Sequence, residues 1–502
     1  MKQSACILVV LCLWQGAYAQ HQHAAPEKLG TVSFPNSCSP PVQAKFNRAV
    51  ALLHSFTYDP AAEAFAEVVR LDPDCAMAHW GVAMSGYHQL WQPPLPGDAV
   101  QKGRAELETA QKAKADAKEK QFLSAAAFIF QDGAYPERAA RYRDAMSALA
   151  KQNPTDVEAQ IFYALALLAT ASPQDKTHKN QKEAAQILGP LYGKYPQHPG
   201  LAHYLIHASD NSEMAASGLK PAREYSEIAP SAPHALHMPS HIFTRLGMWS
   251  DSMRSNQAAR EAARKQGDIG EELHSMDYLV YASLQKASYS ETVAVLNDLK
   301  NMGTLGSDFK VSYAATAMPV RYALERKQWK DATRCVSPAG APPHVAALAA
   351  WARALGDART GDVAAAKSEL QALRKFADQL RTAGNLYWAG QVDIQAEEAG
   401  GWIAQAEQKQ GEALALLKKA ADDEDAVEKL PVTPGPVVPA REQLAELLAM
   451  MGRPREALAE YETSLQNAPG RRASLQGAME SAKAAGAKQK SGQYQAALEK
   501  LN

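Results

Sequence analysis

Residues 441 to 469, REQLAELLAMMGRPREALAEYETSLQNAP, carry a spacing that recurs along the chain. Leu444, Ala445 and Leu448 mark one face of a first helix, and Gly452 marks a turn. Ala457, Tyr461 and Ser464 mark a second helix, which Pro469 ends. FNRAVALLHSFTYDPAAEAFAEVVRLDP repeats the grid with Ala49, Leu52, Ala61, Phe65 and Pro73. A unit over 199–230 ends in Pro230, and in the unit from 233 the turn RLGMW at Gly247 matches MGRPR at Gly452. Weaker copies start near 273, 347 and 394. Small residues let two helices approach, a bulky one fills the gap, and proline stops the second helix. One such unit cannot bury its apolar face alone, so units must stack.

This pattern resembles the tetratricopeptide repeat (TPR), a 34-residue helix-turn-helix. The resemblance implies an all-α, TPR-like α-solenoid of antiparallel helix pairs. SCSPPVQAKFNRAVALLHSFTYDPAAEAF, DPDCAMAHWGVAMS, HYLIHASD and HALHMPSHIFTRLGMW resemble a family of exported bacterial TPR-containing proteins with no assigned activity. The resemblance spans nearly the whole mature chain. Spacers interrupt the period, notably TASPQDKTHKNQ at 170–181 and LPVTPGPVVP at 430–439, where four prolines favour an extended segment. The expected organisation is a signal peptide at 1–19 and an N-terminal extension at 20–40. N-terminal repeats follow at 41–155, central histidine-rich repeats at 156–285 and further helical repeats at 286–430. A proline-rich connector with a C-terminal repeat and cap completes the chain at 431–502.

Lys2, the apolar run Ala5 to Trp14 and the small-x-small pattern Ala17-Tyr18-Ala19 form a secretory leader cleaved before Gln20. The protein is expected in the periplasm or secreted, with no membrane span. The net charge of −1 argues against a nucleic-acid partner. An apolar fraction of 46%, rich in alanine, favours helix. Cys38 precedes one helical pattern and Cys75 follows the next. An antiparallel pair brings those ends together, so an oxidising compartment favours a Cys38–Cys75 disulfide. Cys335 has no evident partner.

Six of the 14 histidines fall between His203 and His274. TPR proteins line their concave groove with positions 2, 5, 9, 12 and 13 of the first helix. Registers starting at 199, 233 and 273 place His203, His207, His234, His237, His241 and His274 on that wall. Asp210, Asp277 and Tyr281 join them. A His-x-x-x-His pair points both rings one way, as helices do when they chelate Zn or Cu, and a carboxylate such as Asp277 completes such sets. Fe also suits imidazole with carboxylate. Two other uses compete: hydrogen bonding of a peptide or anion in an open groove, and ordinary packing. Pro239, inside HMPSH, threatens to take His237 and His241 off a shared face.

Trp80, His88 and Glu442 also map to the concave side. HExxH, GxSxG, Walker and CxxC motifs do not occur. The expectation is an exported scaffold that binds a protein, peptide or small ligand in its groove. The alternative is a metalloprotein, or metal-dependent enzyme, with Zn, Cu or Fe held by the histidines.

Overall fold

A computed structural model describes residues 26–90 and 95–501. The expected leader, 1–19, lies outside the described residues, as does the start of the extension. The described residues contain no β-strand, and the chain is an all-α, TPR-like solenoid. Helix pairs follow one another along it: Gln43–His54 with Tyr58–Leu71, Pro199–Ser209 with Leu219–Ile228, Ile269–Gln285 with Tyr289–Asn301, and Ala440–Met450 with Pro454–Asn467. No helix among the described residues is long and apolar enough to cross a membrane.

The small-against-bulky rule of the repeat is visible in the packing. A Cβ on Gly81 would sit 2.2 Å from the Phe65 ring, and one on Gly477 would sit 2.1 Å from Tyr461. Each glycine lets a helix lie directly on the preceding repeat's aromatic residue. Near the N-terminus, Cys38 and Cys75 are joined by a disulfide. Cys335 is a buried free thiol.

The superhelix winds tightly enough to touch itself. Gly247 holds φ +67°, and a Cβ there would meet the carbonyl oxygen of Pro469 at 2.4 Å. Next to this turn, Trp249 donates its indole N–H to the carbonyl of Gly470 at 2.9 Å. Arg472 donates to the carbonyl of Gln285 at 2.8 Å, and Lys176 pairs with Glu428 at 2.5 Å. The proline-rich segment is no outer linker. Prolines lack donors but keep their carbonyls. The carbonyl of Thr433 accepts from the Tyr278 hydroxyl at 3.0 Å, and that of Pro436 accepts from Arg321 at 3.2 Å. The segment is thereby strapped against the central repeats.

Candidate functional site

This winding buries the central histidines. His203, His207, His234, His237, His241 and His274 are each 0–8% exposed. They therefore do not form the wall of an open groove. Their side chains gather into two adjacent triads, His203/His207/His234 and His237/His241/His274. Within each, one nitrogen per ring lies within 4.8 Å of the other two. The triads also touch each other. The ring centres of His207 and His241 are 6.0 Å apart, and those of His234 and His237 are 5.8 Å apart.

The helix Pro199–Ser209 supplies the first His-x-x-x-His pair. The second survives Pro239, contrary to the expectation above. The chain is divided into Pro233–His237 and Pro239–Arg245, but Met238 between them keeps helical angles, φ −52° and ψ −36°. Proline forfeits one hydrogen bond there without turning the chain, because its own φ is helical. His237 and His241 thus still share a face.

The rings are oriented from behind. Nδ1 of His203 lies 2.6 Å from the carbonyl oxygen of His54, and Nδ1 of His237 lies 2.7 Å from Oδ1 of Asn256. Nδ1 of His241 lies 2.9 Å from Oδ2 of Asp210, and Nδ1 of His234 lies 3.3 Å from Oε1 of Glu271. Asn256 presents its oxygen to His237 because its amide nitrogen donates to the carbonyl of Ser252 at 2.7 Å. All four partners are acceptors, so each Nδ1 carries the proton and each Nε2 turns a lone pair inward. Across the first triad the Nε2 atoms of His203 and His207 are 3.1 Å apart. Across the second those of His237 and His241 are 3.0 Å apart.

Electrostatics favours the neutral form of five of these rings. Burial pulls His203, His207, His237 and His274 well below the usual imidazole range, and their neighbouring imidazoles add to this. Burial also lowers His241, against the pull of Asp210. Burial opposes ionisation of Asp210, but Lys429, Arg245 and His241 overcome it and hold the carboxylate well below its normal range. The same balance holds Glu271 low through Lys310 and His234.

A third cluster supports the first triad. Glu158 bridges His54 and His198 at 2.8 and 3.0 Å. Burial opposes its charge, yet the two imidazoles bring its pKa down to about 2. This network fixes His54, whose carbonyl orients His203. Access to the triads is narrow. A cavity of ≈ 90 Å³ reaches His207 and Asp210 beneath Leu430 and Pro431.

Asp277, Asp210, Trp80 and Glu442 depart from their expected places, and His88 and Tyr281 are held by ring contacts. Asp277 joins neither triad: its carboxylate lies 3.4 Å from Arg321, and burial pushes its pKa up. Asp210, expected in the groove, stands behind His241 instead. Trp80 is 1% exposed and packs edge-on against Phe34, Phe122 and Phe162. Glu442 pairs with buried Arg471 at 2.7 Å. His88 stacks on Tyr58, ring centres 3.9 Å apart. Tyr281 packs on Trp249 and borders an inner cavity of ≈ 170 Å³. Helix register placed these residues on the inner side, and the tight winding then filled that side. Asn256, Glu271, Glu158 and Lys429 went unrecognised, because nothing in their local sequence marks them as partners of a distant histidine.

The class of protein defined so far is a TPR-like helical solenoid with a buried imidazole core. No family model matches the chain, and no curated protein matches it. Among solved structures it is similar to the human IFIT1 dimer with PPP-AAAA, at 11% identity and TM-score 0.38, covering 90% of this chain and 89% of that one. It is also similar to the human IFIT1 dimer with m7Gppp-AAAA, at 13% identity and TM-score 0.35, covering 85% and 90%. Those two proteins are bound to PPP-AAAA and m7Gppp-AAAA, and the exclusion of nucleic acid drawn from net charge does not stand. Net charge averages over a whole surface and does not bar a local site. The likeness assigns no role to any residue of the histidine core.

Proposed function

We propose that this chain is an exported scaffold that binds its ligand inside the superhelix, and that the ligand is a transition metal held by the two histidine triads. One observation carries this reading: the 3.0 Å approach of Nε2 of His237 to Nε2 of His241 while both Nδ1 atoms face acceptors. Two neutral rings so oriented have only lone pairs to offer each other. A proton between them would make a buried imidazolium, which burial disfavours at both rings. A cation between them removes the conflict. Two nitrogens about 2.0–2.1 Å from a shared ion lie roughly 3.3–3.6 Å apart in tetrahedral or trigonal geometry, within a few tenths of an ångström of the spacing seen. The acceptors behind Nδ1 are the outer shell that metal-bound histidines use to set tautomer and orientation. The leader pattern and the Cys38–Cys75 disulfide support an oxidising compartment outside the cytoplasm.

The test is metal analysis by mass spectrometry on protein purified without an affinity tag and loaded with Zn or Cu. Two equivalents per chain are expected, with one lost in His203→Ala and one in His241→Ala. Failure to retain either metal would sink the reading.

A further inference from the structure

We infer that the two triads hold monovalent copper, one ion each, in preference to a divalent ion. This rests on the metal reading above and goes beyond it by choosing the charge and coordination number of the ion. Two observations converge.

The first is the charge already present. Three carboxylates lie around the six rings, and each is matched by a cation. Asp210 meets Lys429 and Arg245, both at 2.9 Å. Glu271 meets Lys310 at 2.5 Å, and Asp277 meets Arg321 at 3.4 Å. The triads therefore sit in surroundings whose negative charge is spent. The cost of moving an ion from water into such a site grows with the square of its charge. A dication there costs about four times what a monocation costs, with no surplus carboxylate to offset it.

The second is the donor set. Each triad offers three imidazole nitrogens, and among the described residues no fourth histidine, cysteine or carboxylate joins either group. Asp210 and Glu271 address the outer nitrogens, Nδ1, instead. The Tyr278 hydroxyl lies 3.4 Å from Nε2 of His241, but it donates its proton to Thr433. Zinc takes four ligands, so a three-histidine zinc site must also hold a water, which this buried pocket would have to admit. Monovalent copper, a d¹⁰ ion of low charge, is satisfied by three nitrogens. A buried, neutral, three-nitrogen pocket suits it on both counts.

The experiment uses the full chain, metal-free, under anaerobic conditions with ascorbate, which spares the disulfide. Cu(I) is titrated in competition with bicinchoninate, and Zn(II) in competition with a chelating dye. The expected result is two equivalents of Cu(I), bound at least 1000-fold more tightly than Zn(II), with an X-ray absorption edge of three-coordinate copper. Zn(II) binding as tightly as Cu(I), or a four-coordinate copper edge, would overturn this inference and leave the metal reading standing. Binding of neither ion would overturn both. Asn256→Asp places a carboxylate behind His237 and should narrow the preference for Cu(I) at least tenfold. If that variant does not fold, Lys429→Met, which removes one of the two cations on Asp210, should do the same. An unchanged preference in the folded variant would refute the charge argument.

Discussion

His241 is gripped from two sides: Oδ2 of Asp210 lies 2.9 Å from its Nδ1, and Nε2 of His237 lies 3.0 Å from its Nε2. The carboxylate decides which nitrogen carries the proton, and so which nitrogen faces the other ring. Asp210 also receives Arg245 and Lys429, which ties the orientation of His241 to the segment that closes over the site.

Asp210→Asn should weaken metal binding by roughly 10- to 100-fold, the usual loss when an outer-shell partner of a metal-bound histidine is removed. Chelator competition measures the change. Retention of full affinity would show that Asp210 does not orient His241.

The metal-free protein should lose stability as pH falls below about 6.5, the ordinary histidine value. His203, His207, His237 and His274 are held well below it in the fold by burial. The unfolded chain therefore binds more protons than the folded one below that pH, and protonation favours unfolding. The contribution is fully present above pH 6.5 and declines as pH drops toward the folded values. Urea unfolding between pH 7.5 and 5 reads this directly, and loaded metal should blunt the decline.

Gly477→Ala should cost about 1–3 kcal/mol, because its Cβ would enter the Tyr461 ring from 2.1 Å away. Gly452→Ala tests a different cause. Its φ of +72° strains any Cβ, although nothing lies within 4 Å. Midpoints of urea unfolding distinguish a large loss at Gly477 from a smaller one at Gly452.

Replacing Cys38 and Cys75 together with serine should lower stability by about 3–4 kcal/mol in the loop-entropy account, since the bridge spans 37 residues. The metal content of the folded variant should not change, because the bridge lies outside both triads.

Much of the fold was legible because the repeat is local. Helix faces, turn glycines and terminal prolines such as Gly452 and Pro469 act within a few residues of themselves. The grid also placed His203, His207, His237 and His241 on inner faces, since position within a helix sets direction. The pairing of Asp210 with His241 lay beyond such reasoning, as did that of Asn256 with His237.

The sequence by itself determined a helical solenoid whose histidines point inward in three successive repeats, because periodicity along a helix is a property of neighbours in the chain. Only the tertiary structure decided that the inside is closed. The superhelix turns far enough for Gly470 to meet Trp249 and for Lys429 to meet Asp210, 219 residues away. The small angle between one repeat and the next sets that closure and accumulates over the whole chain, so no single segment encodes it. The same histidines in a looser coil would face water. Here they face one another.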